Sequence, residues 1–150
     1  MSKLSKNYKD CGPKPHVIDI ENATKCNTNF RTTIWTGSRL QSTLMCIPPR
    51  EDIGLECHPD TDQFLRIECG KGMVCMGPGK DKLNFQCPVS DGSAVFVPAG
   101  TWHNVINTGD CSLKLYSIYA PPNHPHGTVH KCKADAEHEE HEENKTENKK

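Results

Sequence analysis

Residues 92–107 read GSAVFVPAGTWHNVIN. The run Ser93–Val97 is rich in strand-forming side chains, and Pro98-Ala99-Gly100 interrupts it as turn residues do. A second extended run follows, in which period-2 alternation puts His103, Val105 and Asn107 on one face. Two short strands joined by a tight turn, with a histidine at the start of the second, are a unit of antiparallel sheet carrying one potential metal ligand.

Upstream, residues 53–72 read IGLECHPDTDQFLRIECGKG and raise the same question more sharply. Glu56 and His58 are two residues apart, so an extended GLECH segment projects both on one face and Cys57 on the other. Gln63 has the opposite parity, but the Pro59-Asp60-Thr61-Asp62 turn resets the phase and lets the next strand return it to the same spot. Glu56, His58, Gln63 and His103 are therefore four oxygen or nitrogen donors on separate short segments, able to converge inside a barrel whose strands hold them rigidly.

The rest of the chain supports such a barrel. FRTTIWTGSRLQSTLMCI, residues 30–47, is a hairpin signal centred on Thr36-Gly37-Ser38, with Gly37 available for a positive φ. QFLRIECG, GMVCM, LNFQCPV, SAVFV, WHNVIN and SLKLYSIYAP are further extended runs separated by turn residues. No body segment of a dozen residues carries a helical apolar period, so the expected fold is an antiparallel sandwich or barrel rather than an alternating α/β fold. The 150 residues fit one domain, read as an N-terminal extension over 1–15, a body over 16–133 and a charged tail over 134–150. From Asp135 onward there are seven acids, three lysines and almost nothing apolar. Such a segment is expected to be disordered or a frayed helix, with His138 and His141 solvated.

The net charge of −1 gives no electrostatic case for nucleic acid or membranes as partners. No apolar run is long enough to span a bilayer, and the N-terminal residues lack the apolar stretch of a secretory signal, so the expected location is the cytoplasm. The nine cysteines are odd in number and contain no C-x-x-C pair, which reads as reduced thiols rather than a disulfide framework.

The spacing Gly92-x5-Pro98-x-Gly100-x2-His103-x3-Asn107 matches the second of the two motifs of the cupin family, G-x5-P-x-G-x2-H-x3-N. The first, G-x5-H-x-H-x(3,4)-E-x6-G, is matched by Glu56-x-His58-x4-Gln63-x6-Gly70, with Glu for the first His, Gln for Glu, and the opening glycine displaced to Gly54. The chain thus resembles a small cupin from about Asn29 to Pro122. That resemblance implies an all-β fold, the double-stranded β-helix or jelly-roll barrel. It also implies a divalent transition metal on Glu56, His58, Gln63 and His103, zinc first, with manganese, iron, cobalt and nickel compatible. Pairing into a homodimer is implied in the same way.

Glu56-x-His58-Pro59 further resembles the Gln-x-His-Pro stretch of zinc-dependent phosphomannose isomerases, with Gln and Glu exchanged. This implies a metal-dependent aldose–ketose isomerase acting on a small-molecule substrate, a sugar or sugar phosphate. PPNHPHGTVH then supplies His124, His126 and His130 as candidate catalytic acid–base groups, with a Pro-rich surface loop as the bland reading. Arg66 and Lys114 are candidate phosphate partners. Tyr116, Tyr119, Phe64 and Phe96 read as packing, and Trp102 is kept because it adjoins His103. The rival readings are a non-haem metal dioxygenase, for which two histidines and a carboxylate suffice, and a sugar-binding module without turnover.

Overall fold

A computed structural model describes residues 7–147. A short helix α1 (Ile20–Cys26) is followed by β1 (Arg31–Thr36), β2 (Gln41–Ile47), β3 (Asp62–Cys69), β4 (Lys71–Gly77) and β5 (Phe85–Ser90). β6 (Ala94–Val97), β7 (Trp102–Asn107), β8 (Leu113–Ala120), β9 (Val129–His130) and a closing helix α2 (Lys133–Glu147) complete the order. The strands form two antiparallel sheets, β6-β3-β8-β2-β1-β9 and β5-β4-β7. Each expected run in the body is a strand except the segment carrying Glu56 and His58, which makes only isolated bridges.

The two sheets enclose a core of Met45, Ile47, Leu65, Ile67, Val74, Val105, Leu113 and Leu115, all nearly inaccessible. The inward rows change character along their length. On β3 the row is Gln63, Leu65, Ile67; on β8 it is Tyr119, Ser117, Leu115, Leu113; on β2 it is Gln41, Thr43, Met45, Ile47. The registers align these rows, pairing Tyr119 with both Gln63 and Gln41 and Leu115 with both Ile67 and Met45. One end of the space between the sheets is therefore hydrocarbon, and the other carries amides, hydroxyls and a phenol. Burying polar groups costs free energy unless they are partnered, so the polar end is where a ligand or ion belongs.

Both glycines of the second motif, Gly92 and Gly100, have positive φ, 89° and 78°, which explains why their turns require glycine. Gly37 does not, contrary to expectation; a Cβ there would lie 2.5 Å from the Trp35 ring, so clearance is its reason. Helix α1, too short to register as a periodic segment, is capped by Asp19, whose carboxylate accepts from the Asn22 N–H. With Ile18, Ile20 and Tyr8 it covers the outer face of β2, which is why every residue of that strand is buried. The acidic tail is helical from Lys133 to Glu147, resolving the expected choice in favour of helix over the described residues. All nine cysteines are free thiols. Among the described residues, no helix is long and apolar enough to cross a membrane.

Candidate metal centre and its cavity

The two motifs are stitched together by backbone. Glu56 and His103 form an antiparallel bridge with reciprocal N–H to C=O bonds of 2.9 Å, and the Gly100 N–H donates to the His58 carbonyl at 2.8 Å. The Gly54 N–H donates to the Asn104 side chain, which itself donates to Asp52, so the segment carrying Glu56 is braced against β7. The Asp62 carboxylate accepts from the Ala99 N–H and ties the Pro98–Gly100 turn to the start of β3. The segment 53–58 is thus a bridged edge rather than the full strand expected, yet it presents Glu56 and His58 together.

Glu56, His58 and His103 place one ligand atom each within 4.8 Å of one another. His58 Nε2 lies 3.4 Å and His103 Nε2 3.9 Å from Glu56 Oε2. Two donors held about 2.1 Å from one cation at a tetrahedral angle are about 3.4 Å apart, so these separations have the right scale. The His103 Nδ1–H donates to the Thr101 carbonyl at 2.9 Å, which leaves the lone pair on Nε2. His58 Nε2, His103 Nε2 and Gln63 Oε1 are all buried without a hydrogen-bond partner. Gln63 Nε2 donates to Ser117, which directs the amide oxygen elsewhere. Unpartnered buried donors and acceptors are costly; a divalent metal held with Glu56 would satisfy both imidazole nitrogens, and this Glu/His/His donor set fits one.

Electrostatics agree. Burial by itself would raise the Glu56 carboxyl, but the neighbouring His58, the Arg31 guanidinium and His103 outweigh it and hold the group below the ordinary carboxylate range. Burial pushes His103 down, more than Thr101 and Glu56 push it up, which keeps it neutral and available as a ligand.

The cluster opens into a cavity of about 290 Å³ lined by Arg31, Glu56, Cys57, His58, Trp102, His124, His130 and the acidic face of α2. Gln41, fully buried, holds the loop above it: its Oε1 accepts from the N–H groups of Asn123 and His124 and its Nε2 donates to the His124 carbonyl. The His124 ring packs edge-on to Tyr119 at 5.3 Å, and Tyr119 edge-on to His58 at 5.9 Å. Burial first, then the positive charge of Arg31, push His124 down to about 3.

Not every candidate is here. His126 is half-exposed, with Nε2 2.8 Å from the Gly12 carbonyl and 3.2 Å from Asp10, and it does not line the cavity; it tethers the loop to the N-terminal segment. Arg66 pairs with Glu68 on the outer side of β3, and Lys114 donates to the Asn27 carbonyl beneath α1, so neither reaches the cavity. Cys57, expected to face away, lines the rim. Arg31 was missed: it sits in FRTTIW, where strand propensity was the louder signal, and is 2% exposed. A full charge amid strand-forming residues was the clue available.

A family model described as Cupin domain matches residues 43–119, just over half the chain. The chain belongs to the cupin family. It is 67% identical over 128 residues to the uncharacterized protein YrkC of Bacillus subtilis, covering 85% of this chain and 69% of that one. It is 39% identical over 115 residues to the uncharacterized protein L612 of Acanthamoeba polyphaga mimivirus, covering 76% and 70%. The crystal structure of BH2720 from Bacillus halodurans is 61% identical, with a TM-score of 0.85 over 85% of this chain and 97% of that one. For a cupin, a Glu/His/His cluster facing a small polar cavity is the place to look for chemistry.

Proposed function

We propose that this cupin is a metal-dependent enzyme that moves a proton between adjacent carbons of a small oxygenated substrate, as in aldose–ketose interconversion. The carrying observation is the convergence of Glu56 with the unpartnered buried atoms of His58 and His103 beneath a cavity whose opposite side is lined by imidazoles. Glu56, His58, His103 and Gln63 would hold the metal, zinc before manganese, iron, cobalt or nickel. A divalent cation there supplies charge that polarises a carbonyl or hydroxyl oxygen.

The chain's own groups do the rest. His58 and His103 would stand as imidazole ligands fixed beneath the cavity, and Arg31 helps to keep Glu56 ionised. His124, neutral at pH 7 and fixed by the Gln41 clamp, has a lone pair to take the substrate proton and return it one carbon away. An anion beside Arg31 cancels one of the two main causes that depress His124 and makes it a better base. The cavity admits a molecule of sugar size and excludes a polymer chain. Homodimer formation belongs to the same proposal: Phe96, on edge strand β6, is 70% exposed and packs edge-on against Phe64, and sedimentation should give about twice 16.7 kDa, a monomer value removing it.

The test is NMR-followed exchange of the C2 proton of aldose and ketose sugars and sugar phosphates with solvent. Exchange should be lost by roughly 10²-fold in His124→Ala, the usual contribution of one positioned acid–base group. Exchange that is absent throughout, or oxygen uptake instead of exchange, refutes the isomerase reading.

A further inference from the structure

Support of Glu56 does not account for the contact of the buried Arg31 guanidinium with His130, nor for the acidic helix that lies over the cavity. Arg31 is 2% exposed and its Nε has no partner. Its Nη1 is 3.1 Å from His130 Nδ1, and its Nη2 is 4.0 Å from Glu56 Oε1. A guanidinium can only donate, so His130 Nδ1 accepts, and in the neutral ring the hydrogen is on Nε2. That Nε2–H meets the carboxylate of Glu139, on α2. The cationic wall of the cavity therefore ends in an outward N–H donor, and the group it holds is an oxyanion contributed by the chain itself.

Helix α2 is poorly anchored for a structural element. None of its residues is buried. Besides the Glu139 contact, it is held by the Asp135 cap on the Lys131 and Cys132 N–H groups, the Lys133–Asp52 ion pair, and Ala136 against the core. Further cavities, lined in part by His138 and Glu142 and in part by Lys133 and Glu137, open along its flanks. Elements with few buried apolar contacts open at low cost. Glu139, Glu140 and Glu143 line the same cavity as Arg31, His58, His124 and His130, so acidic and basic surfaces face each other across it.

We propose that Arg31 and His130 form an oxyanion subsite for the carboxylate or phosphate group of the substrate, and that Glu139 occupies its His130 donor as a displaceable stand-in, making α2 a plug that substrate removes. This rests on the proposed function for the identity of the site and adds the class of compound: a small acid rather than a neutral sugar. A planar guanidinium beside an imidazole N–H suits an anion with at least two oxygens.

Hydrogen–deuterium exchange of the full chain, titrated with inorganic phosphate or acetate at constant ionic strength, tests it. Either anion should speed exchange of the α2 amides while the strands are unchanged, and the stronger of the two identifies phosphate or carboxylate as the preferred group. Glu139→Gln should tighten phosphate binding roughly tenfold, the scale of one charge-assisted hydrogen bond, and His130→Ala should weaken it by as much. His103→Ala, which removes a metal-set imidazole that has no contact with Arg31 or His130, should leave it within about threefold. Unaltered α2 exchange at saturating anion, an equal response to sodium chloride, or binding that fails with His103→Ala but survives His130→Ala overturns the proposal. Because these readouts register binding alone, a protein that binds anions but exchanges no sugar proton retires the isomerase and keeps the subsite.

Discussion

Protein with His58→Ala and His103→Ala together is expected to retain less than about a tenth of the transition metal that the parent carries through purification. Both imidazoles have a buried Nε2 without a hydrogen-bond partner among the described residues, and each lies within 4 Å of the Glu56 carboxylate. Removing them leaves Glu56 and Gln63, one carboxylate and one amide, which is a weak set for zinc. The fold should survive, since neither imidazole Nε2 makes a bond that holds the strands. The alanines are expected to leave the unfolding free energy within about 2 kcal/mol of the parent in the metal-free state, because two orphaned polar atoms go with the rings. Parent and variant carrying equal metal by elemental analysis would remove the Glu/His/His centre from the account.

Asn107→Ala is expected to cost about 3 kcal/mol and lower the melting temperature by roughly 6–12 °C. Asn107 is fully buried at the last position of the second motif and makes three bonds. Its Nδ2 donates to the Ile47 and Cys111 carbonyls and its Oδ1 accepts from the Gly109 N–H, all at 2.9 Å. It joins β7, the end of β2 and the turn into β8, so truncation orphans two carbonyls and one amide, the Ile47 carbonyl in a fully buried place and the other two groups in partly buried ones. It is remote in chemistry from the metal set, and metal content per folded molecule should stay at the parent level. A variant that melts with the parent, or one that folds normally but loses metal, contradicts this assignment of a structural role.

These two positions show why the second motif was legible and other features were not. Gly92, Gly100 and Asn107 are required by local backbone: positive φ at two turns and three bonds to main-chain groups. Such requirements leave fixed spacings in the chain, and His103 is fixed with them. Glu56 and His58 could be put on one side by parity even though the segment turned out to be a bridged edge, because the bridge to His103 preserves extended backbone there. The turn before β3 leaves Gln63 buried on the inward row, opposite Tyr119.

The residues that complete the cavity depend on long-range register, which no local pattern encodes. Arg31 comes to the site because β1 pairs with both β2 and β9, setting it opposite Met45 and His130. His124 and His126 are two residues apart in one loop, yet the Gln41 amide places the first over the cavity while Asp10 and Gly12 hold the second at the surface. Helix α2 docks by ion pairs and one alanine rather than an apolar stripe, so its composition could report charge but not destination.

The measurement closest to the central claim is an anomalous difference map at the metal's absorption edge, from crystals of protein purified without added metal. The account predicts one strong peak about 2.0–2.2 Å from His58 Nε2, His103 Nε2 and a Glu56 oxygen, with Gln63 Oε1 as the fourth protein contact. A map with no peak among these residues, or with metal only on His138 and His141 of α2, would contradict it.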